Sequence, residues 1–216
     1  IDGGLVWTKA RESTSGGNTS HAWIDTERGT NKWLSSDSST GSGEQTNTNL
    51  ITAFNSNGYT VGTGGPYWTN DDGYEYVSWT FRKQRGFFDV VTYTGDGTTN
   101  RAISHNVGAE VGMMIVKRLN SSQDWNVYHR SADSVKPADY RYMLNTNLQR
   151  LSSNSHFGTG DGIPPTTTEF TVHSNLNLSG DNYVCYLFAH DAQDFGEDSD
   201  EAIIKCGTFN AGNTAF

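Results

Sequence analysis

Four aspartates, Asp191, Asp194, Asp198 and Asp200, crowd one stretch near the end of the chain. Calcium takes six to eight hard oxygen ligands, and one loop with carboxylates at this density can supply several of them, although the spacing is not that of an EF-hand. The same stretch carries Glu197 and Glu201. On a strand, Glu197, Ser199 and Glu201 would share a face at about 6.5 to 7 Å intervals, inside the roughly 5 to 9 Å that glycoside hydrolysis needs between two carboxylates. Such a pair also needs apolar and aromatic neighbours that raise one of its pKa values. Here five polar residues run on without interruption after Gly196. The expected form is a solvated acidic turn, with calcium as the one candidate ion, no other cofactor, and no residue assigned a catalytic role.

A second pattern suits binding rather than catalysis. Tyr67, Trp68 and Asn70 lie between the turn at Gly64-Gly65-Pro66 and the acidic Asp71-Asp72. A ring that stacks on a sugar face beside an amide that reads hydroxyls is a common glycan-binding arrangement, while rim packing of the same ring is the competing expectation. Trp7, Trp79 and Trp125 stand in alternating runs and are expected in the core. His105, His129 and His190 have no i, i+2 partner and are expected at strand ends or the surface. The chain has no GxSxG nucleophile elbow and no HExxH. Its Gly-rich segments at 62–65 and 158–162 read as turns, because a phosphate cradle needs the helix N-terminus that neither one precedes.

Composition narrows the partners. A formal net charge of −9 with no Lys/Arg stripe argues against nucleic acid, whose binding depends on neutralising phosphates. No apolar run reaches the roughly 18 residues of a membrane span. Cys185 and Cys206 are too few for a zinc site, and two thiols are expected rather than a disulfide. The first residue is Ile1 and not Met, so a chain trimmed from a longer one is expected and the lack of a signal peptide excludes nothing.

The elements that must position these residues read as strands throughout. Apolar and polar residues alternate in short segments rich in Val, Ile, Thr and aromatics, separated by Asn-Gly, Asp-Gly and Gly-Gly turns. Residues 137–144 offer a helical turn as an alternative but are read as a strand. These features predict an all-β antiparallel sandwich or jelly roll. The order of segments also repeats. Lys9 ends one run as Lys117 ends another; Trp23-Ile24-Asp25 answers to Trp125-Asn126-Val127; Tyr59-Thr60-Val61 answers to Phe170-Thr171-Val172. The run from Tyr76 to Phe81 answers to that from Tyr183 to Phe188, and Thr92-Tyr93 reappears as Thr208-Phe209. Two tandem sandwich repeats are expected, 1–86 and 87–201, with 202–216 as the opening strand of a third copy or the closing strand of the first.

Residues 112–118, 125–130, 183–190 and 92–97 resemble the tandem modules of tail-fibre and other virion structural proteins of tailed, especially marine, bacteriophages. Those modules are commonly described as concanavalin A-like lectin or glucanase domains. The likeness covers nearly the whole chain at the level of pattern. It departs in the first half, where Trp7-Thr8-Lys9-Ala10-Arg11 stands for the paired Lys-Arg and Trp79-Thr80-Phe81-Arg82 for Phe-Ala. The resemblance implies a virion-surface or extracellular structural module that associates with itself or with other virion subunits and is a candidate adhesin for cell-surface glycans. It implies neither nucleic-acid binding nor membrane insertion. A carbohydrate-active enzyme or a soluble lectin is the alternative.

Overall fold

The computed structural model describes residues 3–13, 19–38, 41–63, 69–158 and 161–209. The first half contributes β1 (Gly4–Ser13), β2 (Ala22–Asp25), β3 (Lys32–Trp33), β4 (Gln45–Thr46), β5 (Ile51–Asn55), β6 (Gly58–Val61) and β7 (Tyr74–Arg82). The second contributes β8 (Phe88–Thr94), β9 (Arg101–Ser104), β10 (Val111–Arg118), β11 (Asn126–His129), β12 (Tyr140–Met143), β13 (Leu151–Ser152), β14 (Glu169–Val172) and β15 (Asn182–Ala189). The fold is all-β, and every strand pairing is antiparallel. The one helical turn weighed in the sequence forms at Pro137–Asp139, where Pro137 pre-sets the backbone, and it leads directly into β12.

A three-stranded sheet has the order β2-β1-β7, and a six-stranded sheet has the order β13-β12-β11-β10-β15-β8. Alternation along the strands decides what each face meets. Leu5 and Trp23 point into one apolar cluster with Val90, Ile115, Trp125, Tyr186 and Phe188 of the larger sheet. Their neighbours Val6, Ala22 and Ile24 point the opposite way and pack with Leu50 and Ile51 at the β5-β6 ribbon. On the far face of the larger sheet, Met114, Val116, Tyr183, Cys185 and Leu187 pack against Ile103, Phe170 and Val172 of the β9-β14 ribbon. The result is sandwich-like, with two sheets facing each other across a common core and a two-stranded ribbon behind each. The boundary near Arg85-Gly86 is therefore a crossing between sheets, and the halves on either side share one interior.

The two sheets also share a pairing scheme. β1 lies between β2 and β7 as β10 lies between β11 and β15, and Lys9 faces Val77 as Lys117 faces Val184. Register shows an offset that the sequence order hides. Trp7 faces Trp23, whereas Ile115, two residues before Lys117 as Trp7 is before Lys9, faces Val127 rather than Trp125.

Buried polar groups lock the halves together. The Arg28 guanidinium lies 2.6 Å from Asp25 Oδ2, with side-chain exposures of 3% and 0%. Arg28 Nη2 donates to the hydroxyl of Tyr186 at 3.0 Å, and that hydroxyl donates to Asp25 Oδ2 at 2.8 Å. Burial by itself would lower the Arg28 pKa, but Tyr186, Asp25 and Glu44 more than offset it and the pKa is raised. Nearby, the Lys117 ammonium, fully buried, donates to the carbonyls of Gly41 and Gln123 at 2.8 Å each. Gly41 has φ 59°, and a Cβ there would stand 2.1 Å from Gln123 O. Residues 41–44 thus serve as a clamp on the second half.

Asp25→Ala leaves the buried Arg28 charge without its partner and should lower stability by about 3 to 5 kcal/mol. Tyr186→Phe removes only the bridging hydroxyl and should cost about 1 to 3 kcal/mol. Urea unfolding measures both, and an Asp25→Ala protein as stable as Tyr186→Phe would contradict the ionic lock.

Candidate functional site

A ladder of tryptophans crosses the three-stranded sheet. Because Trp7 faces Trp23 on one side and Trp79 on the other, all three rings fall on the same face. Ring centroids lie 4.7 Å apart for Trp79 and Trp7 and 4.9 Å for Trp7 and Trp23, and Trp125 of the opposite sheet meets Trp23 edge-on at 5.1 Å. The ladder passes from full burial at Trp125 to 42% exposure at Trp79. Trp79 is therefore not the core residue its alternating strand suggests, since β7 is the sheet's edge strand and nothing among the described residues covers that end.

Beside Trp7, the middle ring of the sheet's three, a groove of about 660 Å³ opens between the halves. Trp7 and Leu144 supply its apolar surface, and His21, Ser36, Asp37, Asn145, Thr146 and Asn147 its polar surface. The Trp7 indole N–H donates to His21 Nδ1 at 2.7 Å, which places the imidazole proton on Nε2. Burial is the main cause of a lowered His21 pKa; Asp37 opposes it and Lys9 reinforces it. Asp37 Oδ1 accepts from the His21 backbone N–H at 3.0 Å and from the Ser35 hydroxyl at 2.7 Å. Asn145 donates to Ser38 O at 3.1 Å and Asp124 Oδ1 at 2.9 Å, and its own oxygen accepts from the Trp125 backbone N–H at 3.0 Å. These bonds fix the rim, while Asn147 beside it is exposed. One indole, that of Trp7, combined with pre-set hydroxyl, amide and carboxylate groups can pack on a sugar ring and hydrogen-bond its hydroxyls.

Of the site residues singled out from sequence, those that are described lie outside the groove's lining. Tyr67 and Trp68 lie outside the described residues. Asn70 is exposed, and its amide donates to Gly62 O at 2.7 Å, holding the returning chain. The aspartates do not gather: among the described residues no three His, Cys, Asp or Glu side chains converge as metal ligands. Asp191 instead pairs with Lys205 at 2.6 Å. The run from Glu197 to Asp200 is an exposed turn closed by a bridge between Phe195 and Glu201. Cys185 and Cys206 are free thiols, Cys185 buried and Cys206 half-buried. The groove went unread because its parts are far apart in sequence. The signal available was Trp7 in a strand that echoes one carrying Ile115, a large aromatic where the other half has an aliphatic side chain.

The comparisons with known proteins bear on the whole unit. A family described as a domain of unknown function, DUF7483, matches residues 1–196. The chain belongs to that family. No curated protein and no solved structure matches it. The DUF7483 match takes in both sheets and every residue of the groove.

A second, smaller cleft of about 270 Å³ lies between Arg118, Asp124, Asn126, Arg141, His156 and Tyr183, among others. Arg118 pairs with Asp181 at 2.7 Å. The Nε atoms of Arg118 and Arg141 are buried without a hydrogen-bond partner. His156 is pushed down to about 4, first by burial and then by Arg141 and His173. The folded protein thus favours neutral His156, and the unfolded chain takes up the proton first as pH falls below about 6.5. This contribution to stability is complete above that pH and declines towards pH 4. Between pH 7 and 5 the loss from His156 should reach about 2 kcal/mol. A His156→Gln variant should show a correspondingly shallower fall in its urea midpoint; an unchanged slope would remove His156 as the cause.

Proposed function

We propose that this DUF7483 chain is a non-enzymatic module of a phage-like virion or extracellular appendage and that it binds a host-surface glycan in the Trp7 groove. The observation that carries this is the meeting of Trp7, held in place by Trp23 and Trp79, with the rim of His21, Asp37, Asn145 and Asn147 in one open cavity. Further support comes from the likeness to virion modules described as lectin-like and from the acidic, uncharged-polar composition. Among the described residues, the groove's lining includes a single carboxylate, Asp37, whereas glycoside hydrolysis uses two. Binding without turnover is the chemistry that fits.

Oligosaccharides from bacterial surfaces should quench tryptophan fluorescence saturably. Asn147→Ala combined with Asp37→Asn should weaken that binding at least tenfold, or about 1.4 kcal/mol, with little change in melting temperature. Binding that survives the double substitution, or a panel in which no glycan binds, would count against the groove. Product analysis of the same mixtures should show no cleaved sugar, and glycan hydrolysis would favour an enzyme instead.

A further inference from the structure

β7 and β15 hold the same place in their sheets, yet among the described residues β15 alone of the two is paired on both sides. β15 has β10 on one edge and β8 on the other, with Phe88 facing Phe188, Val90 facing Tyr186, Thr92 facing Val184 and Tyr93 facing Tyr183. β7 has β1 on one edge, and among the described residues no strand lies on the other. An open edge of this kind presents unpaired main-chain donors and acceptors to any strand that fits. Its exposed face carries Trp79.

A fitting strand is written in the chain. Thr208-Phe209 echoes Thr92-Tyr93 of β8, which sets Ile204 against Phe88 and Cys206 against Val90. Residues 202–209 form no strand in the structure. Ile203 is 58% exposed and Phe209 92% exposed. The segment rests at the end of β10 and β15, where Ile204 is half-buried against both apolar clusters of the larger sheet and Cys206 is half-buried beside Ala189. The Asp191 N–H donates to Ile204 O at 2.9 Å, the Cys206 N–H donates to His190 Nδ1 at 3.0 Å, and Lys205 pairs with Asp191. Within one chain, then, neither the segment nor the outer edge of β7 is paired as a strand among the described residues.

We infer that residues 204–209 of one copy add to the open edge of β7 in a second copy, linking tail to first half. The β8–β15 register transfers directly: Ile204 would face Phe81, Cys206 Trp79, Thr208 Val77 and Phe209 Tyr76. Ile204 and Cys206 then lie on the side shared with Phe81 and Trp79. Phe209 falls on the opposite side, toward the ribbon that carries Tyr59. There it repeats the setting of Tyr93, which stacks on Tyr183 at 5.0 Å and lies 6.3 Å from Phe170. Main-chain pairing would supply affinity, and the alternating pockets would fix the register. A contact between two different surfaces can propagate into rings or filaments.

Cysteine trapping between singly substituted chains tests the pairing and the register together. In a Cys206→Ser background, Val77→Cys chains are mixed with Thr208→Cys chains, and Ser78→Cys chains with Gly207→Cys chains. Two adjacent positions are used because only alternate cross-strand pairs come close enough for a disulfide. Mild oxidation should give a species of twice the chain mass in at least one mixture, and the shifted mixture of Val77→Cys with Lys205→Cys should give none. Removal of residues 203–216 should abolish association seen in sedimentation, with the tryptophan emission of the folded protein retained. No cross-linked pair in either mixture would overturn the inference. So would doubly substituted Val77→Cys/Thr208→Cys chains that close only within themselves, since the strand would then belong to its own chain.

Discussion

The structure depends on the face-to-face contact of two sheets drawn from different halves of the chain. Neither sheet has an interior on that side without the other: Leu5 and Trp23 are buried by Ile115, Trp125, Tyr186 and Phe188, and the reverse. Within this apolar contact sits an ion pair, Arg28 with Asp25, closed by a tyrosine hydroxyl from the opposite sheet. A buried charge is tolerated only when its partners are all in place. The network therefore fixes how the sheets sit on each other as well as holding them together.

That fixed seating creates the groove. Trp7 belongs to the first half, and Asn145 and Asn147 to the second, so the cavity exists only while the sheets hold their relative position. The clamp at Gly41 and Lys117, with Asn145 donating to Ser38 O, brings the two rims together through buried main-chain carbonyls. Burial, opposed by Asp124 and reinforced by Arg118, lowers the Lys117 pKa to about 8, and the Gly41 and Gln123 carbonyls accept hydrogen bonds from its ammonium.

The two halves follow one pairing plan but expose different things. At the position where the second half has the fully buried Tyr186, the first has the half-exposed Trp79. The difference is the strand on the outer edge, present as β8 beside β15 and lacking beside β7 among the described residues. One surface aromatic and one open edge thus have a common origin.

The sequence by itself determined the class of fold and most strand positions. Short alternating runs and glycine turns allow little besides antiparallel β structure, and the echo of Lys9 by Lys117 anticipated matching places in the two sheets. It misled where local pattern is blind to neighbours. Trp23 and Trp125 look equivalent in order but differ by two residues in register. Tertiary structure alone decided that the halves share a core, that the loop before β4 clamps the second half, and that Trp7 meets the rim at Asn145. Each of these joins residues far apart in the chain, 76 positions in the case of Lys117 and Gly41. Alternation says which side chains share a face of a strand, but only the packing of one sheet on another says what that face meets.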